Sequence, residues 1–183
     1  GTRLRSTTDL RAAVENSDLT FIAVGTPECE GRIDLQYVER AAHDLGRAMA
    51  GKDAYHTVVV KSTVVPGTTN GKVRNALESA SGKRAGADFG LGMNPEFLTE
   101  GQAVSDFSNP DRIVIGGIDE RSCNAIASVY GSFTDVPRML TNTQTAEMIK
   151  YASNSVLATM ISFANECGRL CESVGEVDVA EVM

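Results

Sequence analysis

The stretch Asn94-Pro95-Glu96-Phe97-Leu98-Thr99-Glu100-Gly101 sets two carboxylates, an aromatic ring, a proline and a glycine directly after an extended apolar run. At the carboxyl end of a buried strand, such a stretch presents side chains and bare backbone to a ligand, which is where open parallel sheets bind their substrates. An ordinary strand-to-helix turn, with Glu100 at the helix start, fits the local pattern equally. Two other strand ends carry unusual residues, Gly25-Thr26-Pro27 and Ser62-Thr63. Farther along, Lys150 and Asn154 stand four residues apart above Leu157, so they point where that apolar face points. A lysine withdrawn from water is costly unless an anionic group meets it; a lysine near a helix start also commonly snorkels to solvent. Hydroxyl, amide, carboxylate and ammonium groups brought together suit orienting a polar ligand and handling an oxyanion or a water.

The elements that must position these groups follow from periodicity. Asp18–Gly25, His56–Lys61, Ala87–Met93 and Arg112–Gly117 are continuous apolar runs of the kind buried on both faces of a sheet. Between them lie helical patterns: a short one after Thr8 or Asp9, one from Asp34 to near Gly51, one over 69–80 and one from Glu120 to Tyr130. This alternation predicts right-handed βαβ units on a parallel sheet, whose strand ends would line one crevice. The last pattern, from Thr143 to about Val174, keeps an apolar spacing of three and four for roughly 48 Å. A second apolar stripe through Leu157, Ile161 and Gly168 predicts a helix buried on two sides, between domains or subunits.

Composition narrows the classes of function. A formal net charge of -7, without a run of Lys or Arg, argues against nucleic acid and anionic membranes as partners. No stretch approaches the roughly 20 apolar residues of a membrane span, and the chain reads as a cytoplasmic, globular protein. Cys29, Cys123, Cys167 and Cys171 form no CxxC pair and no zinc-like spacing with His43 or His56, so metal binding is not expected. Cys167 and Cys171, four apart on one helix, read as small buried hydrophobes. Both histidines read as surface or strand-edge residues, and no Ser-His-Asp arrangement is suggested. The chain contains no G-x-G-x-x-G phosphate cradle. Its start at Gly1 and its end at Met183, inside a patterned region, read as the limits of a fragment.

Five segments taken together resemble the UDP-glucose/GDP-mannose dehydrogenase family: Val24–Pro27, Val60–Thr68, Asn94–Gly101, Asn109–Arg112 and Ala146–Asn154. The resemblance covers nearly the whole chain. It implies an α/β fold in which residues 1–141 form the second half of a Rossmann-like NAD-binding domain with a mostly parallel sheet, lacking its first glycine-rich βαβ unit. Residues 142–183 would then begin a central helical domain that dimerises through the long helix. The family oxidises the terminal alcohol of a nucleotide sugar to a carboxylate with two NAD, through an aldehyde and a cysteine thioester.

By that likeness Glu96 matches the glutamate that positions or activates the hydrolytic water, assisted by Thr63. Lys150 and Asn154 match the pair that stabilises the developing oxyanion and holds the sugar acid. Phe97, Leu98, Thr99 and Glu100 match the stretch lying along the substrate, and Gly25, Thr26 and Pro27, with Thr63 and Glu100, lie beside the cofactor. The nucleophile of the family sits in a Gly-Gly-x-Cys-Leu-Pro-Lys-Asp run expected beyond Met183, so this chain alone is expected to be inactive. His56–Val60 and Ser81–Gly86 resemble GDP-mannose dehydrogenases, whereas Asn109–Gly117 resembles UDP-glucose dehydrogenases. A non-catalytic nucleotide-sugar-binding or dimerisation module is the alternative, and a 6-phosphogluconate type of hydroxyacid dehydrogenase fits the Asn94–Gly101 run less well.

Overall fold

The apolar runs become the frame. The computed structural model describes residues 4–183, which fall into a unit ending at Lys150 and a second unit, Tyr151–Met183. In the first unit, α1 (Leu10–Glu15) begins where the Asp9 carboxylate accepts the Ala12 N–H at 3.0 Å, so of the two capping residues offered by the sequence Asp9 serves. After β1 (Leu19–Ile22) comes a small antiparallel ribbon, β2 (Glu28–Cys29) and β3 (Arg32–Ile33). Its tip residues Glu30 and Gly31 have φ of 53° and 73°, the mirror-image turn that suits the twist of a hairpin. Helix α2 (Gln36–Met49) turns Val38, Ala42, Leu45 and Met49 inward, and β4 (Thr57–Val60) is buried along its whole length. A π-helical turn, Thr69–Val73, opens α3 (Arg74–Ser81), which stops at Gly82 in the left-handed conformation. The unit is completed by β5 (Gly90–Met93), α4 (Ala103–Ser108), β6 (Ile113–Gly117), α5 (Glu120–Val129) and β7 (Arg138–Asn142), and α6 (Thr143–Val174) follows without a break.

The five main strands lie in the order β1-β4-β5-β6-β7. β1, β4 and β5 run parallel, with Ile22 opposite Val60 and Val60 opposite Met93. β6 and β7 are parallel to each other, but β6 is antiparallel to β5. This corrects the expectation of parallel βαβ units throughout. The connection from β5 to β6 contains only the six-residue α4, none of whose residues is buried, so no helix crosses the sheet to return the chain to its starting edge. β7 lies outside the strands expected from the sequence, because its residues Arg138–Asn142 are mostly exposed and carry no apolar run.

Both faces of the sheet are covered. Val58, Val60, Leu91, Met93 and Val114 pack with Val38, Leu45, Met49 and Leu77 of α2 and α3. Val59, Ile113 and Ile115 point the other way, onto Cys123, Ile126 and Tyr130. The alternation of Val58, Val59 and Val60 between two cores is what a doubly covered strand requires. Gly92 lets α5 approach: a Cβ there would stand 2.3 Å from Ile126 Cδ1 and 2.8 Å from the Gly116 carbonyl.

The second unit holds the rest of α6 and α7 (Val179–Val182), capped by Asp178. Here the two apolar stripes are not covered. Leu157, Met160, Ile161 and Phe163 are each more than half exposed, while Cys171 is buried and Cys167 half-buried. Among the described residues no helix is long and apolar enough to cross a membrane.

Candidate active site at the carboxyl edge of the sheet

Of the residues singled out by type and spacing, Lys150 and Glu96 meet, beyond the carboxyl end of β5. Lys150, in the second turn of α6, has a side chain only 7% exposed, and its Nζ lies 3.1 Å from Oε1 of Glu96, whose side chain is 31% exposed. The lysine is therefore withdrawn and paired, and the snorkelling alternative does not hold. Glu96 Oε2 accepts the Leu98 N–H at 2.5 Å, which bends the loop back on its own carboxylate. The Phe97 ring lies 5.5 Å from Lys150 Nζ and 4.7 Å from the Arg112 guanidinium, so its electron-rich face adds to the compensation of both cations.

The ends of β1 and β4 are stitched to each other. The Thr26 hydroxyl donates to the Thr63 carbonyl at 2.9 Å, and Ser62 Oγ donates to the Val24 carbonyl at 2.6 Å. Gly25 and Pro27 line an open cleft of about 500 Å³ together with Val24, Tyr37, Arg40, Ala41 and Asp44. Leu98, Thr99 and Glu100 are exposed. Thr99 donates its N–H to Asp106 Oδ2 at 2.8 Å. Glu100 lies ahead of α4 rather than at its first turn, so the reading of it as a helix-start carboxylate fails. Asn154 lies in the second unit and is exposed.

Three positions escaped the sequence reading of this edge. Glu147 is fully buried and accepts the N–H groups of Gly67 and Thr69 at 2.5 and 2.7 Å; it anchors the loop after Thr63 to the helix turn that carries Lys150. A carboxylate at the opening of a helical segment meets unsatisfied N–H donors there. Lys61 and Tyr130 converge on Asn94, at the root of the Glu96 loop. Burial holds the Lys61 ammonium below the usual lysine value, Glu96 opposes that effect, and Lys150 adds to it. The signal for all three is a polar side chain inside an apolar period, which marks a partnered group without naming its partner. Burial also pushes the Cys123 thiol up, the opposite of what a nucleophile needs.

The histidines divide. His43 is exposed, as expected. His56 stands at the start of β4, as expected of a strand-edge residue, but it is 1% exposed and so not at the surface, because the chain leaving α1 and the Lys52 side chain close over it. Its Nε2 lies 2.9 Å from Thr20 Oγ1 and its Nδ1 3.1 Å from Lys52 Nζ. Burial, and then the Lys52 charge, push its pKa down to about 4. This cluster precedes β4 and so sits at the amino edge of the strands, away from Glu96.

The chain was compared with known proteins over its whole length. Residues 1–134 match the NAD binding domain of the UDP-glucose/GDP-mannose dehydrogenase family, and residues 144–183 match its central domain. Reading residues 1–141 as only the second half of such a domain is thereby corrected: the match is to the NAD-binding domain as such and runs from the first residue. The absent glycine-rich motif, which prompted that reading, is a local signal, whereas the match rests on the whole stretch. The chain is 45% identical to the GDP-mannose 6-dehydrogenase of Pseudomonas aeruginosa over 99% of its length. It is also 45% identical to the UDP-glucose 6-dehydrogenase of Haloferax volcanii, over all of its length. It covers 41% and 43% of those proteins. A crystal structure of the Pseudomonas aeruginosa GDP-mannose dehydrogenase in a ternary complex matches 97% of this chain with a TM-score of 0.93, this chain covering 40% of that one. For a UDP-glucose dehydrogenase from Pyrobaculum islandicum the TM-score is 0.89 at 48% identity, with coverage of 96% and 40%. The chain belongs to the UDP-glucose/GDP-mannose dehydrogenase family.

Proposed function

We propose that this chain is part of a nucleotide-sugar 6-dehydrogenase that oxidises UDP-glucose or GDP-mannose to the uronic acid with two NAD. Residues 1–141 would serve the cofactor, and 142–183 would begin the central domain. The observation that carries the reading is the Lys150–Glu96 pair: a nearly buried ammonium whose partner carboxylate is open to solvent at the carboxyl edge of the sheet. A purely structural lysine has no need of a wet partner.

The edge also fits the cofactor. A Cβ added at Gly25 would meet nothing within 4 Å, so the backbone there is bare beside a cleft large enough for part of a dinucleotide. Gly25, Thr26, Pro27, Thr63 and Glu100 would hold NAD, which when bound accepts hydride from the carbon being oxidised. In the resting chain Glu96 balances Lys150. An oxyanion developing on the substrate draws the ammonium toward itself, where little water screens the attraction. Glu96, released from that pairing, can then accept a proton from the hydrolytic water, with Thr63 helping to hold it. Asn154 would hold the sugar acid, and the exposed backbone of Phe97, Leu98, Thr99 and Glu100 would lie along the sugar.

Calorimetric titration with NAD, GDP-mannose and UDP-glucose, paired with an assay of NAD reduction in the intact enzyme, tests the proposal. Binding of one nucleotide sugar, and two NADH formed per sugar oxidised, are expected. Absence of both binding and turnover with either sugar overturns it.

A second reading, association through the long helix, is favoured by the exposed apolar stripe of Leu157, Met160, Ile161 and Phe163. It predicts a homodimer by sedimentation, converted to a monomer by Met160→Lys; a wild-type monomer at high concentration would exclude it.

A further inference from the structure

The root of the Glu96 loop is held more firmly than its fold requires. Asn94, at the end of β5, is 2% exposed, and each of its polar atoms has a partner. Its N–H donates to the Val60 carbonyl at 2.9 Å, and Nδ2 donates to the Val114 carbonyl at 2.8 Å. Oδ1 accepts from Lys61 Nζ at 3.0 Å and from the Tyr130 hydroxyl. Lys61 Nζ also lies 3.4 Å from both the Asn94 carbonyl and the Tyr130 oxygen. One side chain is thus gripped from β4, β6 and the end of α5. The next residue is Pro95, whose ring fixes φ, so the orientation of Asn94 passes to Glu96 with little slack.

A lysine is an expensive way to satisfy one amide oxygen. Its ammonium is drawn in 5.8 Å from the Phe21 ring, and burial disfavours its charged form. Tyr130 already supplies Oδ1 with a donor. What Lys61 adds is a second donor that also reaches the carbonyl leading into Pro95, and a positive charge near the Glu96–Lys150 pair. We propose that Lys61 is a positioning residue: acting through Asn94 together with Tyr130, it aims the Glu96 loop at Lys150. The inference rests on the reading of Glu96 as a site residue.

The test is amide hydrogen exchange by NMR on the full chain, read at Leu98, whose N–H donates to Glu96 Oε2. In Lys61→Met, exchange at Leu98 is expected to quicken by about tenfold, while Val58 and Val59 in the β4 ladder keep their wild-type rates. Tyr130→Phe should give a smaller change in the same direction, and Lys61→Arg should restore most of the protection. An unchanged Leu98 rate in folded Lys61→Met overturns the proposal. Lys61→Gln takes its place if that variant does not fold, and a chain unfolded by both substitutions overturns it in favour of a structural role. In the intact enzyme, Lys61→Met should lower kcat with KM for NAD unchanged. A loosened loop with undiminished kcat would leave the positioning role standing and remove Glu96 from the chemistry.

Discussion

Two lysines of the sheet unit are withdrawn from water at opposite edges of the same strands, and they are compensated differently. Lys52, 9% exposed, donates to the backbone carbonyls of Val14 and Ser17 and touches His56. Lys150, 5% exposed, faces the carboxylate of Glu96, which is itself partly in solvent. Two neutral backbone acceptors and an uncharged ring fix a cation permanently. A single wet carboxylate can be exchanged for another anion. The contrast predicts that stability depends on the first lysine and chemistry on the second.

The largest effect is expected at Lys150. If the group acts on charge that develops only in the transition state, as proposed, Lys150→Ala in the intact enzyme should lower kcat by about 10²–10³-fold, with a much smaller rise in KM. Stability should fall by less than about 1 kcal/mol, because the Glu96 carboxylate left behind can hydrate. Steady-state kinetics and a thermal melt on the same preparation check both halves, and full activity would remove Lys150 from the mechanism.

Lys52→Met should behave in reverse. It leaves the Val14 and Ser17 carbonyls without their buried donor, at a cost of about 3 kcal/mol by chemical denaturation, while kcat stays near wild type. A marked loss of turnover in a folded Lys52→Met variant of the intact enzyme would break the division between the edges.

How far this division is legible in the sequence depends on what carries it. The apolar runs that became β1, β4, β5 and β6 could be read because burial on two faces demands continuous hydrophobicity, and Val58–Val59–Val60 meets that demand toward both cores. Lys150 could be singled out because an apolar period surrounds it. Its partner could be named only through a resemblance, since Glu96 lies 54 positions away and the sheet alone brings the two together. The partners of Lys52 and Glu147 are not legible in the sequence, because they are backbone atoms, which leave no trace in residue type. The reversal at β6 is illegible for a related reason: alternation predicts elements, whereas direction depends on whether a connecting helix packs on the sheet, and α4 does not.

The amino-edge cluster also carries its own pH signature. Burial and the Lys52 charge push the His56 pKa down to about 4, from the ordinary 6.5. The unfolded chain therefore takes up this proton near pH 6.5 and the folded chain only near pH 4. The contribution is fully present above pH 6.5, is lost as pH falls toward 4 and is constant below that, amounting to about 3 kcal/mol. Denaturation midpoints measured between pH 7 and 4 should show this slope in wild type, and His56→Gln should flatten it. An unchanged slope in the variant would assign the loss to carboxylates instead.

The smallest effect is the one that tests whether position alone divides structural from functional groups. Thr26 stands at the carboxyl edge, where the resemblance implies a place beside the cofactor, and its hydroxyl donates to the Thr63 carbonyl. If that tie is its task, Thr26→Val costs about 1 kcal/mol and raises KM for NAD only a few-fold by letting the two strand-end loops part, and Thr26→Ser restores both. If the hydroxyl instead turns to the cofactor, NAD affinity falls while the melting temperature holds. The first outcome would place a structural hydroxyl among functional groups, so that the nature of the partner, a fixed carbonyl or a wet carboxylate, predicts the role better than the edge on which a residue stands.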